Sequence, residues 1–112
     1  MDKRKAYKIA KEYTEFLRIN KPGLRKVFLF GSYVKGTADD NSDIDMAVVF
    51  ETFADSFDIQ VELMKMRRKF DTRIEPHPFR EVDFNSSNPF AKEILTSGVE
   101  IYSFAGNCVM IR

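Results

Sequence analysis

The sequence holds one cysteine and one histidine in 112 residues. It has no apolar run approaching the roughly 18 residues that a membrane-spanning helix needs. Cys108 cannot close an internal disulfide, and its place near the end suggests neither a metal site nor a nucleophile. A reducing environment fits. The N-terminal segment is charged and lacks the apolar core of a signal peptide, so a soluble, cytoplasmic protein is expected. With His77 as the lone histidine, no Ser–His–Asp set can be argued. Net charge is scarce too: eighteen basic residues against seventeen acidic ones leave +1, so no global field indicates nucleic acid or an anionic membrane as a partner. Repeats, linkers and low-complexity stretches are missing as well, and residues 1–112 read as one domain.

What is present is the composition of a folded protein, 44% apolar and 31% charged, with eleven Phe and four Tyr. Lys3, Arg4, Lys5, Lys8 and Lys11 crowd the start, and Lys65, Arg67, Arg68 and Lys69 form a second basic cluster. Both read first as solvated helix faces; the alternative for the second is charge for a triphosphate or RNA. Eleven Phe exceed what one small core needs. Several of the late ones (Phe79, Phe84, Phe90, Phe104) are therefore expected to contribute to an exposed patch that binds another chain, with core packing the fate of most.

From Lys5 to Ile19 the apolar residues Ala6, Ile9, Ala10, Tyr13, Phe16 and Leu17 recur at spacings of three and four, which predicts an amphipathic helix. The run Val27–Phe30, closing on Gly31, predicts a buried strand. A loop with Gly36, Asp39, Asp40 and Asn41 follows. A central strand is expected over Asp43–Phe50, polar at one end and apolar at the other. Phe57–Phe70 suits a helix by length, although Ile59–Leu63 alone suits a strand. Thr72–Phe79 reads as a strand that Pro76 and Pro78 place at a sheet edge or at its final residues. A helix over Pro89–Thr96, ended by Gly98, and a last strand over Val99–Phe104 complete the order. Residues 105–112 carry no assignment. The expected class is α/β (α+β), a mixed sheet including Val27–Phe30, Asp43–Phe50 and Thr72–His77, with helices packed mainly on one face.

The chemistry sits in Gly31-Ser32-Tyr33-Val34-Lys35-Gly36 and Ser42-Asp43-Ile44-Asp45. Gly31 ends a strand where backbone can approach a ligand closely, and Ser32 offers a hydroxyl and a backbone N–H at the start of a helical turn, a phosphate-binding arrangement. Gly36 adds a second point free of side chain. Asp43 and Asp45, two apart on a strand, leave the same face and can converge on one ion, and their hard oxygens suit Mg2+ or Mn2+. Read singly, each piece is common, since Asp-x-Asp occurs most often in solvated turns.

In this order the residues resemble the signature of the polymerase-beta-like nucleotidyltransferase superfamily, a Gly-Ser helical turn followed by Asp-x-Asp on the next strand. They are most similar to its small prokaryotic minimal nucleotidyltransferases of antitoxin type. The resemblance is close over Phe28–Phe50 and follows element order elsewhere. It implies a metal-dependent enzyme that transfers a nucleoside monophosphate from a nucleoside triphosphate, taken as ATP, to a hydroxyl of a protein, RNA or small molecule. Gly31 and Ser32, with Gly36 and Ser42 in the same two segments, would bind the nucleotide, and Asp43 and Asp45 the metal. A third carboxylate on a later neighbouring strand is also implied. Asp71 and Glu75 both qualify by period two, and Glu75 is preferred because it lies deeper in its predicted strand. A glutamate there departs from the family's usual aspartate. His77 lies beside it, with a structural role the simpler reading, and Arg67, Arg68 and Lys35 are within the range of phosphate contacts with no direction fixed.

The resemblance further implies a small helical HEPN-type protein as partner, as in toxin–antitoxin pairs. A binding module that pairs with such a partner with little or no catalysis is the second functional reading. A chain of this length is expected to draw acceptor recognition from a partner or a second copy.

Overall fold

The computed structural model describes residues 2–104, so Cys108 and the unassigned segment 105–112 lie outside it. Helix α1 (Lys3–Asn20) begins at an N-cap in which the Asp2 carboxylate accepts from the Lys5 N–H. Its buried residues Ala6, Ile9, Ala10, Tyr13, Thr14 and Leu17 form the stripe that the three-and-four spacing predicts. Strand β1 (Leu24–Phe30) leads into the single turn α2 (Ser32–Lys35), and β2 (Ile44–Phe50) follows the loop. Helix α3 (Ser56–Met66) is capped by Asp55, whose carboxylate accepts from the Phe57 and Asp58 N–H groups. It continues as a 3-10 turn over Arg67–Lys69, so the segment is helical throughout and Ile59–Leu63 is not a strand. Strand β3 (Ile74–Arg80), helix α4 (Pro89–Ser97, capped by Asn88) and β4 (Val99–Ser103) complete the chain.

The four strands order as β3-β2-β1-β4. β1 is antiparallel to both neighbours, while β2 and β3 run parallel, joined by the α3 crossover that a parallel pair requires. The sheet is therefore mixed, as expected. Pro76 and Pro78 fall on the edge strand β3, where an absent N–H breaks no ladder bond. That edge is covered: Gln60 of α3 donates to the Pro76 carbonyl at 2.9 Å, and Arg67 Nη1 donates to the Ile74 carbonyl at 2.7 Å. Covering it removes a template for pairing with another strand.

Strand alternation divides the core in two. Val27, Leu29, Ile44, Met46, Val48, Phe50 and Ile74 pack with α1, α3 and Tyr33 of α2, while Phe28, Phe30, Ala47, Val49 and Phe79 pack with Phe84 and with Ala91 and Ile94 of α4. The two long helices thus share one face, and the short α4 lies on the other. Tyr13 Oη donates to the Leu63 carbonyl at 2.7 Å and ties α1 to α3. Of the late phenylalanines, Phe79 and Phe84 are buried, while Phe90 is 42% exposed. The most exposed phenylalanine is Phe57, on α3. No helix among the described residues is long and apolar enough to cross a membrane.

Candidate active site

The carboxylates occupy the α4 side of the sheet, at the end of β2 that receives the loop. Asp45 is paired with Phe30 across the antiparallel β1–β2 ladder and with Glu75 across the parallel β2–β3 ladder. Residues in register on neighbouring strands share a face, so Asp45 and Glu75 emerge side by side. Asp43 is the last loop residue before β2 and is exposed. It precedes Asp45 by two residues, with the buried Ile44 between them. The Ile44 N–H donates to the Arg73 carbonyl at 2.8 Å, which fastens the start of β2 to the segment entering β3.

Gly31 stands against this pair. Its φ of +83° is a conformation that side chains disfavour, and a β-carbon there would lie 3.2 Å from Asp45 Cγ and closer still to Oδ2. The glycine ends β1, opens α2 and leaves space for the Asp45 carboxylate. Its carbonyl accepts from the Val34 and Lys35 N–H groups, which builds the helical turn carrying Ser32. Ser32 lines a shallow recess of about 160 Å³ with Asp2, Lys3, Tyr33, Gly36 and Ala38. Gly36, with φ +82°, ends the turn in the left-handed conformation, and its N–H donates to the Ser32 carbonyl. Ser42 has a local task. Its Oγ accepts from the Asp39 N–H at 2.8 Å and lies 3.3 Å from Asp39 Oδ1, closing the 39–42 turn.

The two candidates for a third carboxylate are placed differently. Glu75 lies in register with Asp45, and Arg67 Nη1 approaches its Oε2 to 4.0 Å. Asp71 lies in the turn before β3, where its carboxylate accepts from the Arg73 backbone N–H at 2.8 Å and from Nε and Nη2 of the same side chain at 3.0 and 2.9 Å. The Arg73 side-chain hydrogen bonds hold the Asp71 carboxyl below the usual carboxylate range. His77, two residues beyond Glu75, places Nε2 3.5 Å from Asp45 Oδ1. The sequence did not reveal that approach, nor the direction of Arg67, which turns to the Ile74 carbonyl and Glu75. His77 becomes a neighbour of Asp45 through the β2–β3 register, and Arg67 a neighbour of Glu75 through the packing of the turn after α3 on β3.

The donor chemistry fits a hard divalent cation. Among the described residues no three His, Cys, Asp or Glu side chains gather closely enough to form a cage. Mg2+ is commonly held by one or two carboxylates with the rest of its octahedron filled by water and substrate phosphate oxygens.

Residues 11–105 match the family model described as Polymerase beta, Nucleotidyltransferase. The protein adenylyltransferase MntA of Shewanella oneidensis is 30% identical over 88 residues, covering 79% of this chain and 60% of that relative. The chain thus spans less than two thirds of the relative's length. The crystal structure of a putative nucleotidyltransferase from Sulfolobus solfataricus superposes with a TM-score of 0.64 at 26% identity, over 90% of this chain and 83% of the other. A mutant of the toxin–antitoxin MntA–HpeT superposes with a TM-score of 0.60 at 27% identity, over 82% of this chain and 70% of the other. With the family model spanning the second half of α1 to the end of β4, and a Gly-Ser turn facing strand carboxylates inside that span, the chain belongs to the polymerase beta nucleotidyltransferase family.

Proposed function

We propose that the protein transfers a nucleoside monophosphate from ATP to a hydroxyl of a partner protein, with the small helical HEPN-type class as that partner. The observation that carries the proposal is the register of Asp45 with Glu75 beside Gly31, which sets adjacent carboxylates against a Gly-Ser turn. An adenylyltransferase and a toxin–antitoxin assembly among the similar proteins support both the ATP and the protein acceptor.

In this reading the acceptor oxygen forms a bond to the α-phosphorus as the bond to pyrophosphate breaks, and the hydroxyl proton passes to solvent. Gly31 and Ser32 bind the triphosphate through backbone and hydroxyl, with Gly36 terminating the turn that presents them. Asp43 and Asp45 would hold the divalent cation, with Glu75, in register with Asp45, the candidate third carboxylate. Such a cation supplies neutralisation of charge on the phosphates and the leaving pyrophosphate. Asp71 is outside this set because Arg73 occupies both its oxygens. Ser42 acts by shaping the loop that delivers Asp43.

Incubation with α-labelled ATP, Mg2+ and a co-purified small helical partner tests the proposal: label should move to the partner and pyrophosphate should be released. Absence of transfer with every acceptor offered, while a stable complex forms, favours the second reading, a binding module with little catalysis. Exposed Phe90 and Leu95 on α4 supply apolar surface for such pairing.

A further inference from the structure

We infer that His77 is a positioning residue for Asp45, its Nε2–H fixing the carboxylate that faces the Gly31–Ser32 turn. The inference rests on the nucleotide-site reading above and extends it to a side chain outside the carboxylate set. His77 follows Glu75 by two residues on β3, so it points to the same face. Its in-register neighbour on β2 is Ala47, fully buried and no larger than a methyl group. Over that small residue the imidazole leans toward Asp45, the next residue of β2 on this face, and Nε2 comes to 3.5 Å from Oδ1.

The ring is held from both sides. Its centroid lies 5.3 Å from that of Phe30 and 5.7 Å from that of Phe90, the latter edge-on at 86°. Packing alone does not require a histidine here, because Phe79, two residues on, meets the same Phe90 ring at 5.6 Å. What imidazole adds is a nitrogen. Nε2 is buried and has no hydrogen-bond partner, a costly state for a polar atom, and the Asp45 carboxylate is the acceptor beside it. A small rotation of either side chain closes 3.5 Å to a hydrogen bond. Outer-shell bonds of this kind orient metal-ligating side chains and set how well they hold the ion.

The test is calorimetric binding of Mn2+ with a non-hydrolysable ATP analogue to the parent protein and to His77→Phe, His77→Gln and Asp45→Asn, each with its melting temperature. His77→Phe keeps an aromatic ring between Phe30 and Phe90 but removes the donor. It should fold with a nearly unchanged melting temperature and bind about 10-fold more weakly or worse, the usual loss for an outer-shell partner. His77→Gln returns an N–H near the Nε2 position and should recover most of the affinity. Parent-like binding by His77→Phe, or equal losses in the Phe and Gln variants, overturns the assignment. Should His77→Phe fail to fold, His77→Met, also without a donor, takes its place under the same criteria. Asp45→Asn separates the two levels. If it binds as the parent does, the nucleotide-site reading itself fails; if it binds weakly while His77→Phe binds normally, only the role of His77 fails.

Discussion

Gly31 and Asp45 compete for one volume: a β-carbon on Gly31 would overlap the Asp45 carboxylate, so the glycine at the end of β1 is a condition for the carboxylate at the start of β2. Phe30 and Asp45 are ladder partners, and the residue after Phe30 must turn away from the strand without a side chain.

Gly31→Ala should therefore damage binding and stability together. The backbone conformation alone, φ 83° and ψ −153° in a region essentially confined to glycine, costs a non-glycine residue about 1–3 kcal/mol, and displacement of Asp45 adds to it. Urea denaturation and Mg2+-dependent ATP titration of the same preparation measure both effects. A variant that binds ATP normally would show that Asp45 can move without consequence.

The carboxylates should act as a unit. Asp43→Asn, Asp45→Asn and Glu75→Gln each keep side-chain size and remove a charged ligand, so transfer should fall by about two orders of magnitude or more. Thermal stability should hold or rise slightly, since relief of repulsion among clustered carboxylates favours the folded state. Melting curves run beside the labelled-ATP assay check this. If Asp71→Asn abolishes transfer while Glu75→Gln leaves it intact, the third ligand is Asp71.

Asp71 should instead govern acid stability. Its folded pKa is depressed by the Arg73 side-chain bonds, so its contribution is complete above the ordinary carboxylate value and is lost as pH falls through the depressed folded value. Asp71→Asn should lower stability near neutrality and flatten the acid limb of a stability–pH curve from chemical denaturation. An unchanged acid limb would remove Asp71 from this role.

Tyr13 should mark the α1–α3 contact. Burial pushes its phenol well above the usual tyrosine range, with the Arg67 charge pulling weakly the other way. The folded pKa is the raised one, so the contribution is whole below the unfolded value, about 10, and falls away at higher pH. Tyr13→Phe removes one of the two donors to the Leu63 carbonyl, which keeps the Arg67 N–H, and should cost about 1 kcal/mol with nucleotide binding unchanged. Ultraviolet titration of the parent and of Tyr13→Phe should coincide until alkaline unfolding begins, because the Tyr13 phenol stays protonated in the fold.

Much of this protein was written in local pattern. The three-and-four spacing of Ala6, Ile9, Ala10, Tyr13 and Leu17 determined α1 because a helix brings such residues onto one stripe, and the apolar runs before Gly31 and after Asp45 determined β1 and β2. Pro76 and Pro78 restricted β3 to a sheet edge or a strand end, because a proline has no N–H to give a second neighbour, and the strand order makes it the edge. The Gly-Ser turn and Asp43-x-Asp45 carried the family resemblance, since both depend on residues a few positions apart. What lay across the sheet was not local. That Asp45 meets Glu75 and that Ala47 makes room for His77 follow from the β2–β3 register, while Arg67 reaches Glu75 because the turn after α3 packs on β3. That register is set by α3 and by burial of both sheet faces, between residues about thirty positions apart in the chain, where neither periodicity nor spacing in the sequence reaches.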